Sequence, residues 1–201
     1  YGSTDDYFGR SVDINKNGDI IAVGCPQVAG GTGDTGFVKM YHYDSSTFTW
    51  VQMGSTINGQ ADRDQFGDSI SLSYDGLRVA ISAPEHDSYI GTIQVYEYDS
   101  IALDWVQMGS DIDGSSTTLA SGGRGYNNTI SFSGEDTASN KFGTTLAIGY
   151  PGSTNGTVRM YAWNGNTWAQ TGPDLNGEAS GDKFGFSLSL NYAANRIIIG
   201  A

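Results

Sequence analysis

Phe8-Gly9-Arg10-Ser11-Val12 recurs as Phe66-Gly67-Asp68-Ser69-Ile70 and again as Phe184-Gly185-Phe186-Ser187-Leu188. A second stretch keeps the same order. Ile21-Ala22-Val23-Gly24-Cys25-Pro26 returns as Val79-Ala80-Ile81-Ser82-Ala83-Pro84 and as Leu146-Ala147-Ile148-Gly149-Tyr150-Pro151, and the last copy stops at Ile197-Ile198-Ile199-Gly200-Ala201. A period of about sixty residues describes one supersecondary unit that must stack on its neighbours to bury its apolar surface. The period decides architecture before activity, because repeat scaffolds host unrelated functions.

Each copy divides into four strand candidates. The first follows Phe-Gly (Ser11 to Ile14, Ser69 to Ser73, Asn128 to Ser133, Ser187 to Leu190), and the second is the apolar run. Asn17-Gly18 and Asp75-Gly76 lie between them and suit tight hairpins. The third strand opens on Gly36, Gly91 or Gly156, and the fourth carries Trp50, Trp105 or Trp168 followed by Val-Gln or Ala-Gln. In the third strand Val38 and Met40 point one way while Lys39, Tyr41 and Tyr43 point the other, so both faces carry large side chains. A sheet held between two similar sheets needs that pattern. The expectation is all-β: β-propeller blades, each a four-stranded antiparallel sheet. The blade-like repeats span about 8–63, 66–114 and 126–178, with a partial one at 184–201. A β-solenoid usually has a shorter repeat and fits less well.

The third copy deviates. A Ser/Gly-rich loop runs from Ser115 to Gly125, Tyr126-Asn127 replaces Phe-Gly, and the first hairpin expands from Gly134 to Lys141. Phe142-Gly143 imitates the signature but is out of phase with Pro151. Insertions of this kind map to loops on one face, where ligands and partners sit.

Twenty-two acidic and ten basic residues among 201 give a net charge of −12. That field repels phosphate backbones and anionic lipid, which argues against nucleic-acid partners and direct membrane insertion. No run of eighteen apolar residues occurs. Cys25 is the only cysteine, so an internal disulfide is excluded; it reads as a small buried filler. Tyr1 to Asp6 reads as the end of an inter-repeat loop comparable to Gln60 to Asp64, with the chain lying inside a longer array.

Phe-Gly-x-Ser, the Asn-Gly or Asp-Gly turn, and Val-Gly-x-Pro or Ile-Ser-Ala-Pro together resemble the FG-GAP repeat family, the unit of the integrin α-subunit propeller. The resemblance covers essentially the whole chain. It implies a propeller, usually seven-bladed, whose remaining blades come from the same or another chain. It also implies an extracellular or cell-surface setting and a role in adhesion or recognition.

Integrin-type repeats carry a Ca²⁺ loop in the first hairpin. Here Asp13, Asn15, Asn17 and Asp19 supply oxygens at alternate positions, but Ile21 stands where a closing carboxylate belongs, which weakens a hard-cation site. No other cofactor is expected. Asp6, Asp64 and Asp182 each precede Phe-Gly (Phe8-Gly9, Phe66-Gly67, Phe184-Gly185) by two residues, and that recurrence suggests a structural cap on loop amides. Trp50, Trp105 and Trp168 could stack on sugars, but equivalent placement favours packing between units with the indole N–H finding a local acceptor. His86 lies in Glu85-His86-Asp87, yet sequence neighbours seldom converge on one substrate atom. No nucleophile elbow, zinc set or phosphate loop is present. Asn127 and Asn155 each begin an N-glycosylation sequon. The functional expectation is a non-catalytic scaffold or adhesion module that contacts protein or glycan partners in a larger surface or filamentous assembly. The alternatives are a lectin-like propeller, with or without calcium, and an accessory propeller of an enzyme.

Overall fold

A computed structural model describes residues 7–26, 35–114, 129–133 and 144–201. Sheet 1 contains β1 (Ser11–Ile14), β2 (Ile20–Cys25), β3 (Phe37–Asp44), β4 (Thr49–Gln52) and the short β5 (Ile57–Asn58). The first four run antiparallel in the order β1-β2-β3-β4. Asn15 closes the β1–β2 hairpin: its side-chain oxygen accepts the Asp19 and Ile20 N–H groups at 3.0 Å each. Gly18 takes φ +72° in that turn, the left-handed geometry for which the Asn-Gly pair is suited.

The pattern returns twice. Sheet 2 holds β6 (Ile70–Leu72), β7 (Arg78–Ala83), β8 (Thr92–Asp99), β9 (Asp104–Gln107) and β10 (Ile112–Asp113). A single turn, α1 (His86–Tyr89), joins β7 to β8 with Asp87, Ser88 and Tyr89 all at positive φ. Sheet 3 holds β11 (Thr129–Ser133), β12 (Thr145–Tyr150), β13 (Thr157–Trp163), β14 (Trp168–Gln170) and β15 (Leu175–Asn176). The last pair, β16 (Ser187–Leu190) and β17 (Ile197–Gly200), repeats the first hairpin alone. The expected first strand of the second copy is shorter than the sequence suggested, and Asn128, the insertions around it and Phe142-Gly143 lie outside the described residues.

One feature was not anticipated. The fourth strand of each unit is broken in two, so that β4 pairs with the end of β3 and β5 with its beginning. Met53 occupies the break and donates its N–H to the Met40 carbonyl (2.8 Å), after which Gly54 turns the chain at φ +75°. Met108-Gly109 and Thr171-Gly172 make the same bulge, their N–H groups reaching Val95 O (2.7 Å) and Met160 O (2.8 Å). A bulge of this kind bends a strand and re-aims what it presents.

Alternation along the strands explains the stacking. Ala22, Val38, Met40, Met53 and Ile57 of sheet 1 share one buried cluster with Ile70, Leu72, Val79, Ile81, Ala83 and Trp105 of sheet 2. The opposite face of sheet 2 (Ala80, Ile93, Val95, Met108, Ile112) shares a second cluster with Ile130, Phe132, Leu146, Ile148 and Tyr161 of sheet 3. All six residues of β7 are therefore buried. The first strands of successive units, β1, β6, β11 and β16, pack side by side. The core lies between the sheets.

Candidate functional site: the junctions between sheets

The apolar faces would hold any two such sheets together; polar contacts at their margins set how they meet. At the outer margin, the fourth-strand tryptophan of each following sheet donates its indole N–H to the bulge carbonyl of the sheet before it. Trp105 Nε1 reaches Met53 O at 2.8 Å, and Trp168 Nε1 reaches Met108 O at 2.9 Å. Asp104 adds a second tie at the first of these junctions, its Oδ1 accepting the Ser55 N–H (2.7 Å) as well as the Trp105 N–H (2.8 Å). Those two backbone donors, Ser55 first, hold the Asp104 carboxyl below its ordinary range. Each indole rests on an aromatic of its own third strand: Tyr98 with Trp105, Trp163 with Trp168, Tyr43 with Trp50.

At the inner margin, a side-chain oxygen of one first strand accepts a backbone N–H of the next. Asp13 Oδ2 takes Leu72 N–H (2.7 Å), Ser71 Oγ takes Phe132 N–H (3.0 Å) and Ser131 Oγ takes Leu190 N–H (3.0 Å). Hydroxyls complete the edge: Ser11 and Thr129 each donate to the carbonyl of the next Phe-Gly glycine, Gly67 and Gly185, at 2.6 Å. The Phe-Gly pair itself lies across the junction. Phe66 N–H and Phe184 N–H bond back to Thr35 O and Asn155 O of the preceding units, both at 3.2 Å. Phe66 is buried in the first cluster.

The calcium candidates divide by role. Asp13 spends one oxygen on Leu72 across the junction and the other on its neighbour Ile14 N–H (2.8 Å). Asn15 is buried, and its amide nitrogen donates to Asp19 Oδ1 (2.7 Å) and to Asp75 O of the next hairpin (3.1 Å). Asn17 is exposed at the turn. Asp13, in particular, stands in the position that Ser71 and Ser131 fill at the other junctions. Among the described residues there is no group of three or more His, Cys, Asp or Glu side chains able to hold a metal ion.

Asp64 and Asp182 cap their own loops, their Oδ2 atoms accepting Ala61 N–H (3.1 Å) and Ala179 N–H (2.7 Å); Asp6 lies outside the described residues. Asp64 carries an extra partner in His86, whose Nδ1 approaches its Oδ2 at 2.7 Å. Burial alone would lower the His86 pKa, but the Asp64 hydrogen bond and charge, aided by Asp87 and Asp113, outweigh it and hold the ring above its ordinary value. Asn155 is half-buried and donates its amide to Gly177 O (3.1 Å), while Asn127 lies outside the described residues.

Hollows open on the surface among the described residues. One of about 380 Å³ runs along Glu97–Ile101 and Val106–Met108, and one of about 200 Å³ is lined by Tyr7, Arg10, Pro26, Gln65 and Asp68. Arg10 and Asp68 occupy the same repeat position in successive units and pair across the junction at 2.9 Å. Burial raises the Asp68 pKa against the pull of Arg10.

Sheet 1 has no sheet on its other side among the described residues. Trp50 is 41% exposed where Trp105 is 8%, and Val12 and Ile14 are 67% and 55% exposed where their counterparts Ile70 and Leu72 are 8% and 6%. Phe8 is likewise exposed, its ring tilted against that of Phe37. No protein-family model matches the sequence, and no curated protein matches it either.

Proposed function

We propose that the chain is a non-catalytic recognition scaffold, built from three blades and a partial fourth of an FG-GAP-type β-propeller whose remaining blades come from the same or another chain. The setting would be extracellular, in a larger surface or filamentous assembly, with loop ends and the open sheet face meeting protein or glycan partners. The observation that carries this reading is the use made of the polar groups. Asp13, Asp64, Asp104, Asp182 and the fourth-strand tryptophans hold loops and junctions, which is how a repeat protein spends side chains on stacking. Among the described residues no helix is long and apolar enough to cross a membrane.

Surfaces coated with the folded chain are expected to retain cells or glycan-coated beads, and surfaces coated with heat-unfolded chain are expected to retain none. Equal retention by both removes the recognition reading. A lectin-like second reading has one observation in its favour, the exposed Tyr43–Trp50 pair with ring centroids 5.3 Å apart, since such aromatics stack on sugars. Quenching or shift of Trp50 emission by mono- and disaccharides, with and without calcium, tests it.

A further inference from the structure

We propose that the outer tip of sheet 2, the β8–β9 hairpin with the hollow beside it, is a docking surface for an extended cationic segment of a partner protein. The segment carries a Lys or Arg with an apolar residue two positions to either side. The proposal deepens the recognition reading by naming one partner class, and rests on it for the premise that exposed surface does the work.

The hairpin carries apolar surface that folding does not require. Ile101, Leu103 and Val106 are 93%, 64% and 53% exposed. Ile101 and Val106 also line the hollow of about 380 Å³, together with the buried Met108. Leu103 holds φ +56°, a left-handed geometry that suits glycine or asparagine and strains a branched apolar residue. Sheet 1 makes the same choice at the equivalent position, where the exposed Phe48 stands at φ +57°. Sheet 3 does not. It closes its hairpin with Asn164-Gly165-Asn166-Thr167, and Ala169 follows its tryptophan where Val106 follows Trp105. The repeat therefore folds without bulky tips, and side chains that are strained, apolar and left in water mark an interaction surface.

Charge selects the partner. Asp99 and Asp104 stand directly opposite each other on β8 and β9, a placement of like charges that is destabilising unless something bridges it. Backbone N–H groups hold both carboxyls below their ordinary range, Ile101 and Ala102 acting on Asp99, Ser55 and Trp105 on Asp104. Glu97, the other carboxylate beside the hollow, is paired with Arg78 at 2.9 Å. No basic residue is among those lining the hollow. A Lys or Arg set between Asp99 and Asp104 relieves their repulsion. In an extended segment the residues two positions away share its face, and apolar ones there cover Leu103 and Val106. A second copy of this chain fits less well, since each copy carries a net charge of −12.

The probe is the capped peptide Leu-Ser-Lys-Ser-Leu, titrated to millimolar concentration into the whole chain at low salt. The methyl resonances of Ile101, Leu103 and Val106 report contact by NMR. Saturable shifts centred on those methyls are expected, with binding about tenfold weaker when both peptide leucines are replaced by serine. Leu103→Asn in the protein is expected to weaken binding by about tenfold while the urea midpoint holds or rises, because asparagine accepts the left-handed geometry. Asp99→Asn keeps an oxygen for the turn and is expected to weaken binding about threefold. A peptide that shifts none of these methyls overturns the proposal. Equal binding of the all-serine peptide reduces the contact to general acidity and also overturns it. So does Leu103→Asn with unchanged affinity, or with a lowered midpoint, since the leucine then serves the fold. Shifts of the same methyls on concentrating the protein alone assign the patch to a second copy and overturn it as well. Retention of cells or beads without methyl shifts removes the docking surface and leaves the recognition reading standing; methyl shifts without retention do the reverse.

Discussion

Replacing the bulge glycine by alanine isolates the junction from ordinary backbone strain, because one bulge has a tryptophan against it and another does not. Gly54 and Gly172 share nearly the same backbone, φ +75° and +76°. An L-residue in that region costs about 1–2 kcal/mol, and this part of the cost is common to both substitutions. Gly172→Ala adds nothing further, since its Cβ meets open space. Gly54→Ala places a methyl 2.7 Å from Trp105 Cδ1 and 3.0 Å from Asp104 Oδ1. Trp105 is buried against Tyr98 and the first cluster and has little room to yield. Forcing it aside carries an overpacking cost of about 1–3 kcal/mol. Stretching its bond to Met53 O forfeits about 1 kcal/mol more. Gly54→Ala is thus expected to destabilise by about 3–6 kcal/mol in all.

Repeat proteins unfold through neighbouring units, so the measurement should follow the junction itself. Urea titration monitored by Trp105 emission, in a background where the other tryptophans are phenylalanine, supplies that probe. The Gly54→Ala midpoint is expected well below that of Gly172→Ala, with native emission already red-shifted. Two variants equal within about 0.5 kcal/mol would refute the tryptophan–bulge contact as an energetic feature, since distant independent sites agree only to that margin by chance.

Four other outcomes follow from the geometry. Asp13→Ser is expected to keep wild-type stability, because serine does the same work at positions 71 and 131, whereas Asp13→Ala is expected to lose about 1–2 kcal/mol by stranding Leu72 N–H, read by urea denaturation. If the first hairpin binds calcium, millimolar calcium raises the melting temperature of the wild type and not of Asp13→Ser; an equal rise in both removes Asp13 from the site. The His86–Asp64 contact contributes stability that is fully present below the ordinary histidine pKa and is lost as pH rises through the raised folded value, so the stability difference between wild type and His86→Gln is expected to shrink on going from acid to alkaline pH; an NMR-measured His86 pKa below the ordinary value would contradict this. Asp104 runs the other way, its lowered pKa making its contribution present above the ordinary carboxylate range and lost as pH falls through the folded value, which predicts that Asp104→Asn flattens the acid limb of stability.

The repeat period and the strand pattern were legible because stacking writes them into every copy. Phe-Gly marks the junction crossing, Asn17-Gly18 marks a turn that needs positive φ, and the apolar second strand marks burial on both faces. The bulge was not read from Met53-Gly54-Ser55, Met108-Gly109-Ser110 or Thr171-Gly172, although the motif recurs, because nothing local in those stretches names their partner. Its meaning depends on a tryptophan some fifty residues further along, at a separation where composition and periodicity carry no information. Asp13 shows the reverse problem. Oxygens at alternate positions in a hairpin suggest cation ligation, and the same alternation in a strand also points a side chain at the neighbouring sheet. Only the serines at the equivalent positions separate the two readings, since they serve the backbone bond as well as the aspartate does and would serve a cation less well.

The two margins of the junction also explain why the apolar face alone does not define it. Apolar contact is non-directional, and two sheets with Val, Ile and Met faces could slide by a residue pair at small cost. The Trp105–Met53 bond fixes the outer margin and the Asp13–Leu72 bond the inner one, so together they set both register and splay angle. Either alone leaves a hinge. A double-mutant cycle with Trp105→Phe and Asp13→Ala tests that reasoning, for the two sites do not touch and would ordinarily add. If they jointly define one geometry, the first loss frees the sheet to relieve the second, and the double variant is less destabilised than the sum by more than about 0.5 kcal/mol. Strict additivity would mean that the buried cluster positions the sheets unaided and that the polar contacts merely follow.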